Sequence, residues 1–470
     1  MNLPSDFITY TKQLMGESEF AKLADALQQQ PPTSVRLNRR KCCNARLSAD
    51  VDAQNVAWCA DGFYLNSRPS FTFDPLLHAG AYYVQEASSM FLWHVMQQIA
   101  PDSVSMLDLC AAPGGKSTVA LSCLPKGSVL FSNEPIRQRA NILNENILKF
   151  GRPDVIVTNN YPRDYQRTPL LFDIILADVP CSGEGMFRKD HDAITEWSVQ
   201  NVERCAALQR EIVSDIWRNL KQGGYLIYST CTFNAHENEE NVLWITENLG
   251  AEFVKIEHPD AWNIVPSLTA DIPVCRFLPG TTRGEGLFMA VLRKTSDDVL
   301  TAKRQKSKER KTQQRDKKGS NLRTSDFSSM LRSPEMFDIV ECGDDIIALP
   351  SGMTSCYNAA SSLNILSAGI TIGTRKGRDI LPSQALALST QLLPDAFPRI
   401  EIDAATAISY LRKESISLPD SAPRGFVILT FRGLPLGFVK NIGTRSNNLY
   451  PQEWRIKTTH LPETFKTIIE

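Results

Sequence analysis

The sequence predicts an α/β protein built on a mainly parallel sheet, with a smaller α+β unit before it and a β-rich unit after it. Three observations lead there. Short β-rich runs alternate with helical runs from Ser103 to Lys294, and a glycine-containing turn, Cys110-Ala111-Ala112-Pro113-Gly114-Gly115-Lys116, follows the first of those runs. A basic stretch almost free of apolar residues, Lys303 to Lys318, then separates this region from the remainder. A chain of 470 residues exceeds what one core comfortably holds, so two or three domains are expected.

From Leu3 to Gln30 the pattern reads as helical, and strand-like pieces follow at Ser34 to Asn38 and Gly62 to Leu65. Tyr83 to Ile99 has helical spacing, with Val84, Ala87, Met90, Phe91 and Val95 on one face. Strands are expected at Ser105 to Leu109, Ser128 to Asn133, Asp154 to Thr158, Phe172 to Ala177, Tyr225 to Ser229 and Gly286 to Leu292. Helices are expected at Gly115 to Cys123, Ile136 to Phe150, Val202 to Leu220 and Glu237 to Leu249. After the basic stretch, strand-like runs return at Gly425 to Phe431 and Leu436 to Lys440. The expected boundaries are residues 1–100, 101–298, a flexible linker over 299–325, and 326–470.

The formal net charge of -1 offers no global attraction to a polyanion, so any nucleic-acid contact must rest on local basic patches. No run of about eighteen apolar residues occurs, and the start lacks the regions of a signal peptide, so a soluble cytoplasmic protein is expected. The eleven cysteines show neither a Cys-x-x-Cys pair nor zinc spacing, which excludes a zinc framework and predicts no metal. In a reducing compartment most would serve as small buried hydrophobes.

Gly114-Gly115-Lys116-Ser117 superficially matches a phosphate-binding loop, but Cys110 stands where that motif needs its first glycine. As a strand-loop-helix turn it suits close approach by a small molecule, with the helix start favouring a carboxylate. Glu134 ends the next strand, where an acid takes the ribose hydroxyls of a nucleoside cofactor; its bland alternative is a helix-start acid before Pro135. A dinucleotide would need the full glycine fingerprint, whereas S-adenosylmethionine has ribose, base and a carboxylate without phosphate and fits better. Asn159 or Asn160, ending the third strand, could meet the adenine edge.

Two more strand ends carry cysteine: Asp178-Val179-Pro180-Cys181-Ser182-Gly183 and Ser229-Thr230-Cys231-Thr232-Phe233-Asn234. Thiolate is the strongest side-chain nucleophile and suits addition to a pyrimidine C6, which activates C5 toward a methyl group. Asp178 would assist as an acid beside the base. These residues alone leave open which cysteine attacks.

With these motifs the chain resembles the Fmu/Sun family of RNA cytosine-C5 methyltransferases, in the bacterial branch that modifies 16S ribosomal RNA. Further family-like pieces are Tyr83-Val84-Gln85-Glu86-Ala87-Ser88-Ser89, Gly183-Glu184-Gly185-Met186-Phe187-Arg188-Lys189 and Asn238-Glu239-Glu240-Asn241. The tail Gly437-Phe438-Val439-Lys440-Asn441, with Arg445 and Tyr450, resembles a PUA-like barrel that would read RNA shape. The resemblance implies a Rossmann-like class I methyltransferase domain between an N-terminal α+β RNA-binding subdomain and this C-terminal one.

It further implies that Cys231 is the nucleophile, that Cys181 assists release, and that Cys110, Ala111, Ala112, Pro113, Gly114, Gly115 and Lys116 contact the methionine part of the cofactor. Lys116 is implied near the target base, Glu134 at the ribose and Asp178 at the reaction centre. One departure concerns the third strand, where the family often has aspartate and this chain has Asn159-Asn160-Tyr161. Arg188 and Lys189 would be placed for phosphates beside a flipped base. The expected activity is methylation of cytosine C5 in RNA, most naturally 16S ribosomal RNA, by a monomer without metal or membrane partner. The rivals are a transfer RNA substrate, a DNA enzyme that would leave Cys231 idle, and a non-catalytic RNA-binding assembly factor. A fragment ending near Val299 is expected to keep cofactor binding and lose RNA affinity.

Overall fold

The computed structural model describes residues 2–470 except 50, 297–326, 328, 378 and 459–464, so the basic stretch from Lys303 to Lys318 lies outside the described residues. The centre of the molecule is a nine-stranded sheet. Its strands are β1 (Ser105–Asp108), β2 (Val129–Asn133), β3 (Val155–Thr158), β4 (Phe172–Asp178), β5 (Leu220–Thr230), β6 (Ala251–Val254), β7 (Cys275–Phe277), β8 (Leu287–Lys294) and β9 (Ile365–Ala368). The order across the sheet is β6-β8-β5-β4-β1-β2-β3-β9, with β7 also paired to β8. β1 to β5 run parallel, while β6 to β9 add antiparallel. β2 and β3 are buried at every residue, as strands covered on both faces must be, which explains their unbroken apolar and small-polar composition.

The N-terminal unit is a four-stranded antiparallel sheet of Ala53–Val56, Cys59–Leu65, Thr33–Leu37 and Tyr82–Val84, in that order. The helix expected over Tyr83 to Ile99 begins only at Phe91. Tyr82–Val84 is captured as an edge strand, with Tyr83 opposite Arg36, because cross-strand hydrogen bonding supplied from elsewhere in the chain outweighs local periodicity. Arg36 itself is buried and donates to Gln85 Oε1 (3.0 Å), Ser122 Oγ (2.7 Å) and Thr118 Oγ1 (2.7 Å), which ties this unit to the helix Gly115–Cys123. The N-terminal helix Ser5–Leu27, broken at Gly16 (φ 81), packs Phe7, Phe20, Leu23 and Leu27 against Phe187, Trp197 and Phe233. It thereby covers the segments that follow Cys181 and Cys231.

The expected strand pair near the C-terminus is present as Gly425–Phe431 and Leu434–Asn441, joined by two left-handed residues, Arg432 (φ 50) and Gly433 (φ 75). Such a turn matches the twist of a tight hairpin. β9 has no counterpart among the expected strands; it pairs with the free edge of β3. Around it Leu349, Met353, Ala360, Leu363 and Ala368 join the core that contains Ile156, Leu170 and Phe172. Ile408, Leu411, Val427, Leu436 and Ile468 share a second core with Val35, Leu37, Leu76 and Tyr82 of the N-terminal unit. No helix of the described residues is long and apolar enough to cross a membrane.

Candidate active site

β1 has β2 on one side and β4 on the other, so the chain reverses its winding direction there, and a crevice opens beyond the strand ends. The glycine turn leaves β1 at this point. Gly114 has φ 113, a left-handed conformation that costs a side chain dearly, and a Cβ there would meet Leu143 at 3.3 Å. The turn therefore delivers Lys116 to the crevice at the start of the helix.

Lys116 Nζ donates to Asp178 Oδ2 at 2.8 Å, and Ser229 Oγ donates to Asp178 Oδ1 at 2.9 Å. Burial acts to lower the Lys116 ammonium, but the Asp178 charge and hydrogen bond outweigh it, and the ammonium is held above its ordinary value. Register places the thiols. Asp178 at the end of β4 stands directly opposite Ser229 near the end of β5, so the two cysteine turns leave the sheet side by side. Cys181 and Cys231, separated by 50 residues in the chain, have their Sγ atoms 3.2 Å apart. The Cys231 Sγ beside it and then burial push the Cys181 thiol well above its ordinary value.

The cofactor side of the crevice is lined by two acids. Glu134 is buried after β2; its Oε1 accepts from Ile136 N at 3.0 Å, while Oε2 has no hydrogen-bond partner and faces Arg139 Nη2 at 3.6 Å. Glu134 thus serves the start of the helix Arg137–Phe150 and still keeps one acceptor unused. Asp108, at the end of β1, escaped the sequence reading. Ser117 Oγ donates to its Oδ2 at 2.6 Å, Oδ1 has no partner, and burial pushes the carboxyl up to about 7. Its only signal was an acid ending the strand before the glycine turn. Burial and then the Glu134 and Asp108 charges hold Cys110 as a thiol, raised above its ordinary value.

Asp108 also gives a pH prediction. An unfolded aspartate loses its proton near about 3.9, whereas folded Asp108 keeps it to about 7. Its favourable contribution is complete below the unfolded value and is lost as pH rises through about 7. Asp108→Asn removes that dependence. The Tm difference between variant and parent, both without cofactor, is therefore expected to move in favour of the variant from roughly pH 5 to roughly pH 8. Thermal melts with a constant difference would show that Asp108 titrates normally.

The asparagines that end the third strand are committed elsewhere. Asn159 Nδ2 donates to Glu134 O and Pro135 O, both at 2.8 Å, and its Oδ1 accepts from Asn364 Nδ2 at 3.3 Å. Asn160 Oδ1 accepts from Asn364 N at 3.0 Å. Both side chains hold the C-terminal segment against the crevice rim. Arg188 is likewise internal: it pairs with Glu285 at 3.1 Å and donates to Ala26 O at 3.1 Å and to Gly284 O, so it is not free for a phosphate. Lys189 stands 4.0 Å from Glu285 and is more exposed. Among the described residues no cluster of His, Cys, Asp and Glu could hold a metal ion.

Comparison with known proteins places these features. Residues 96–293 match the model of 16S rRNA methyltransferase RsmB/F, residues 3–87 the N-terminal domain of 16S rRNA methyltransferase RsmF, and residues 397–456 the methyltransferase RsmF PUA domain. Ribosomal RNA small subunit methyltransferase F of Escherichia coli O1:K1 / APEC is 30% identical over 472 residues, covering 96% of each chain. The same-named protein of Escherichia coli O127:H6 is 29% identical over 477 residues, again covering 96% of each. Among solved structures, a methyltransferase homolog from Pyrococcus horikoshii superposes with a TM-score of 0.53 at 25% identity, covering 62% of this chain and 95% of its own. NSun6 from Pyrococcus horikoshii, solved with SFG, gives a TM-score of 0.53 at 19% identity over 63% of this chain and 99% of its own.

Proposed function

The chain belongs to the 16S rRNA methyltransferase RsmB/F family, and from that membership and the geometry above we propose that it methylates cytosine C5 in 16S ribosomal RNA through a covalent Cys231–C6 intermediate. It is an S-adenosylmethionine-dependent RNA methyltransferase with a Rossmann-like catalytic domain and a C-terminal PUA domain. The observation that carries the finer reading is the approach of two thiols to 3.2 Å beside the Lys116–Asp178 pair.

The residues present fit the cofactor. Asp108 and Glu134 each keep one buried carboxylate oxygen that accepts no hydrogen bond, and S-adenosylmethionine carries an ammonium and two ribose hydroxyls that can donate to them. Residues 110–116 would hold its methionine part and Glu134 its ribose. When bound, it supplies the methyl group.

Cys231 Sγ forms a bond to C6 of the base, and the electron pair released from the C5–C6 double bond makes C5 nucleophilic. Lys116 and Asp178 hold the polar edge of the ring, where the displaced charge collects. Once C5 carries the methyl, its proton must leave and the Cys231–C6 bond must break. Cys181 assists that proton removal.

Bisulfite sequencing of total RNA from cells with and without the gene tests the assignment. The expected outcome is loss of one protected cytosine in 16S RNA. A loss confined to transfer RNA, or no loss, overturns it. Glu134→Ala is expected to weaken S-adenosylmethionine binding by about 1–3 kcal/mol, as for loss of hydrogen bonds to a charged group, with RNA affinity unchanged. Titration calorimetry returning the parent's affinity would leave Glu134 as a helix-start acid only.

A further inference from the structure

Two carboxylates that take no part in these steps lie fully buried behind the cysteines. Glu184 is on the turn that follows Cys181, yet three of its four donor groups are on the other turn. Phe233 N (2.6 Å) and Asn234 N (3.0 Å) donate to its Oε2, and Asn234 Nδ2 (3.1 Å) and Trp197 Nε1 (2.9 Å) donate to its Oε1. Glu237 follows Cys231 and reaches the opposite way. Ser182 N donates to it at 3.0 Å, joined by Gln209 Nε2 (2.7 Å) and Asn234 Nδ2 (2.8 Å). Gly185 N donates to Cys231 O at 2.8 Å in the same layer, and a Cβ on Gly185 would come within 2.5 Å of that oxygen.

Each partner is a donor, so only an ionised carboxylate satisfies them all; an amide would turn an N–H toward an N–H. Neither acid has a cation at ion-pair distance among the described residues, and burial raises the Glu237 pKa, with the Glu184 charge adding to it. Two unpaired buried carboxylates near one another are a costly way merely to join loops, which neutral side chains could do. What they provide is several short, directional bonds that fix one turn against the other.

We propose that Glu184 and Glu237 are positioning residues acting in a crossed pair, each carboxylate fixing the thiol of the opposite turn: Glu184 sets Cys231 and Glu237 sets Cys181. The consequence for catalysis rests on the cytosine-C5 reading, but the crossing of the two holds does not. In that reading Glu184 serves addition and Glu237 serves release.

The test uses full-length Glu184→Gln and Glu237→Gln, with S-adenosylmethionine calorimetry as the check of folding. Affinity of the thiol pair for a trivalent phenylarsenical, corrected by the same measurement on Cys181→Ala, reads the thiol spacing without any methylation. Each variant is expected to lose tenfold or more. With total RNA from cells lacking the gene, Glu237→Gln is expected to accumulate a covalent enzyme–RNA band on a denaturing gel. Glu184→Gln is expected to form that band at least tenfold more slowly. Arsenical capture at the parent's affinity in both variants, or an equal loss of both thiol functions in both, overturns the proposal. Should a glutamine variant lose cofactor binding, Glu184→Asp and Glu237→Asp replace them, and the same crossed pattern in weaker form is required. Weakened arsenical capture in both variants, with no adduct from either Cys181→Ala or Glu237→Gln, would uphold the hold on the thiol pair and overturn the cytosine-C5 reading instead.

Discussion

Replacing Cys231 with alanine is expected to lower methyl transfer by about a thousandfold or more, since the remaining site can still bind but has no nucleophile to activate C5. RNA binding should persist, and no covalent band should form. Cys181→Ala should fail differently. Addition and methylation proceed, release stalls, and an enzyme–RNA adduct survives a denaturing gel. The contrast follows from geometry in which two thiols share one pocket, 3.2 Å apart, so that removing either leaves the other in place. An adduct with Cys231→Ala that disappears with Cys181→Ala would reverse the roles and make the chemistry of the DNA-enzyme type.

Cutting the chain after residue 298 is expected to destabilise the catalytic domain itself, against the sequence-based expectation that such a fragment keeps cofactor binding. The cut exposes the edge of β3 and removes Leu349, Met353 and Leu363 from the core of Ile156 and Phe172. It also removes Ile408, Leu411, Val427, Leu436 and Ile468 from the core of the N-terminal unit. At about 1.5–3 kcal/mol per large apolar side chain the loss is on the order of 10 kcal/mol or more, comparable with the roughly 5–15 kcal/mol that holds a domain folded. An unpaired apolar edge also invites aggregation. The fragment should therefore be aggregated or unable to bind S-adenosylmethionine, as size-exclusion chromatography and calorimetry would report. A monomeric fragment with the parent's cofactor affinity would show that the C-terminal region only adds RNA affinity.

Much of this molecule was legible in the order of its residues. The parallel strands, the helix starting at Gly115 and the hairpin around Arg432-Gly433 follow from local periodicity and turn chemistry, which depend on neighbours in the chain. The same holds for the short motifs that place Lys116, Glu134, Asp178, Cys181 and Cys231 at strand ends, because a strand fixes which residues emerge where it stops. Tertiary structure decided the rest. Tyr82–Val84 became a strand because an edge far away in sequence offered hydrogen bonds. Asn159 and Asn160 were drawn to Asn364, more than 200 residues downstream, which no local pattern foretells. Arg188, a plausible phosphate contact as part of a basic pair, is internal because Glu285 and two backbone carbonyls close around it. The raised carboxyl of Asp108 and the crossed holds of Glu184 and Glu237 arise from burial and from donors on other segments. A sequence fixes which groups are available and, through local geometry, where each strand delivers them. Distances between groups on different strands, and the water excluded around them, exist only once the sheet register and the cores have formed.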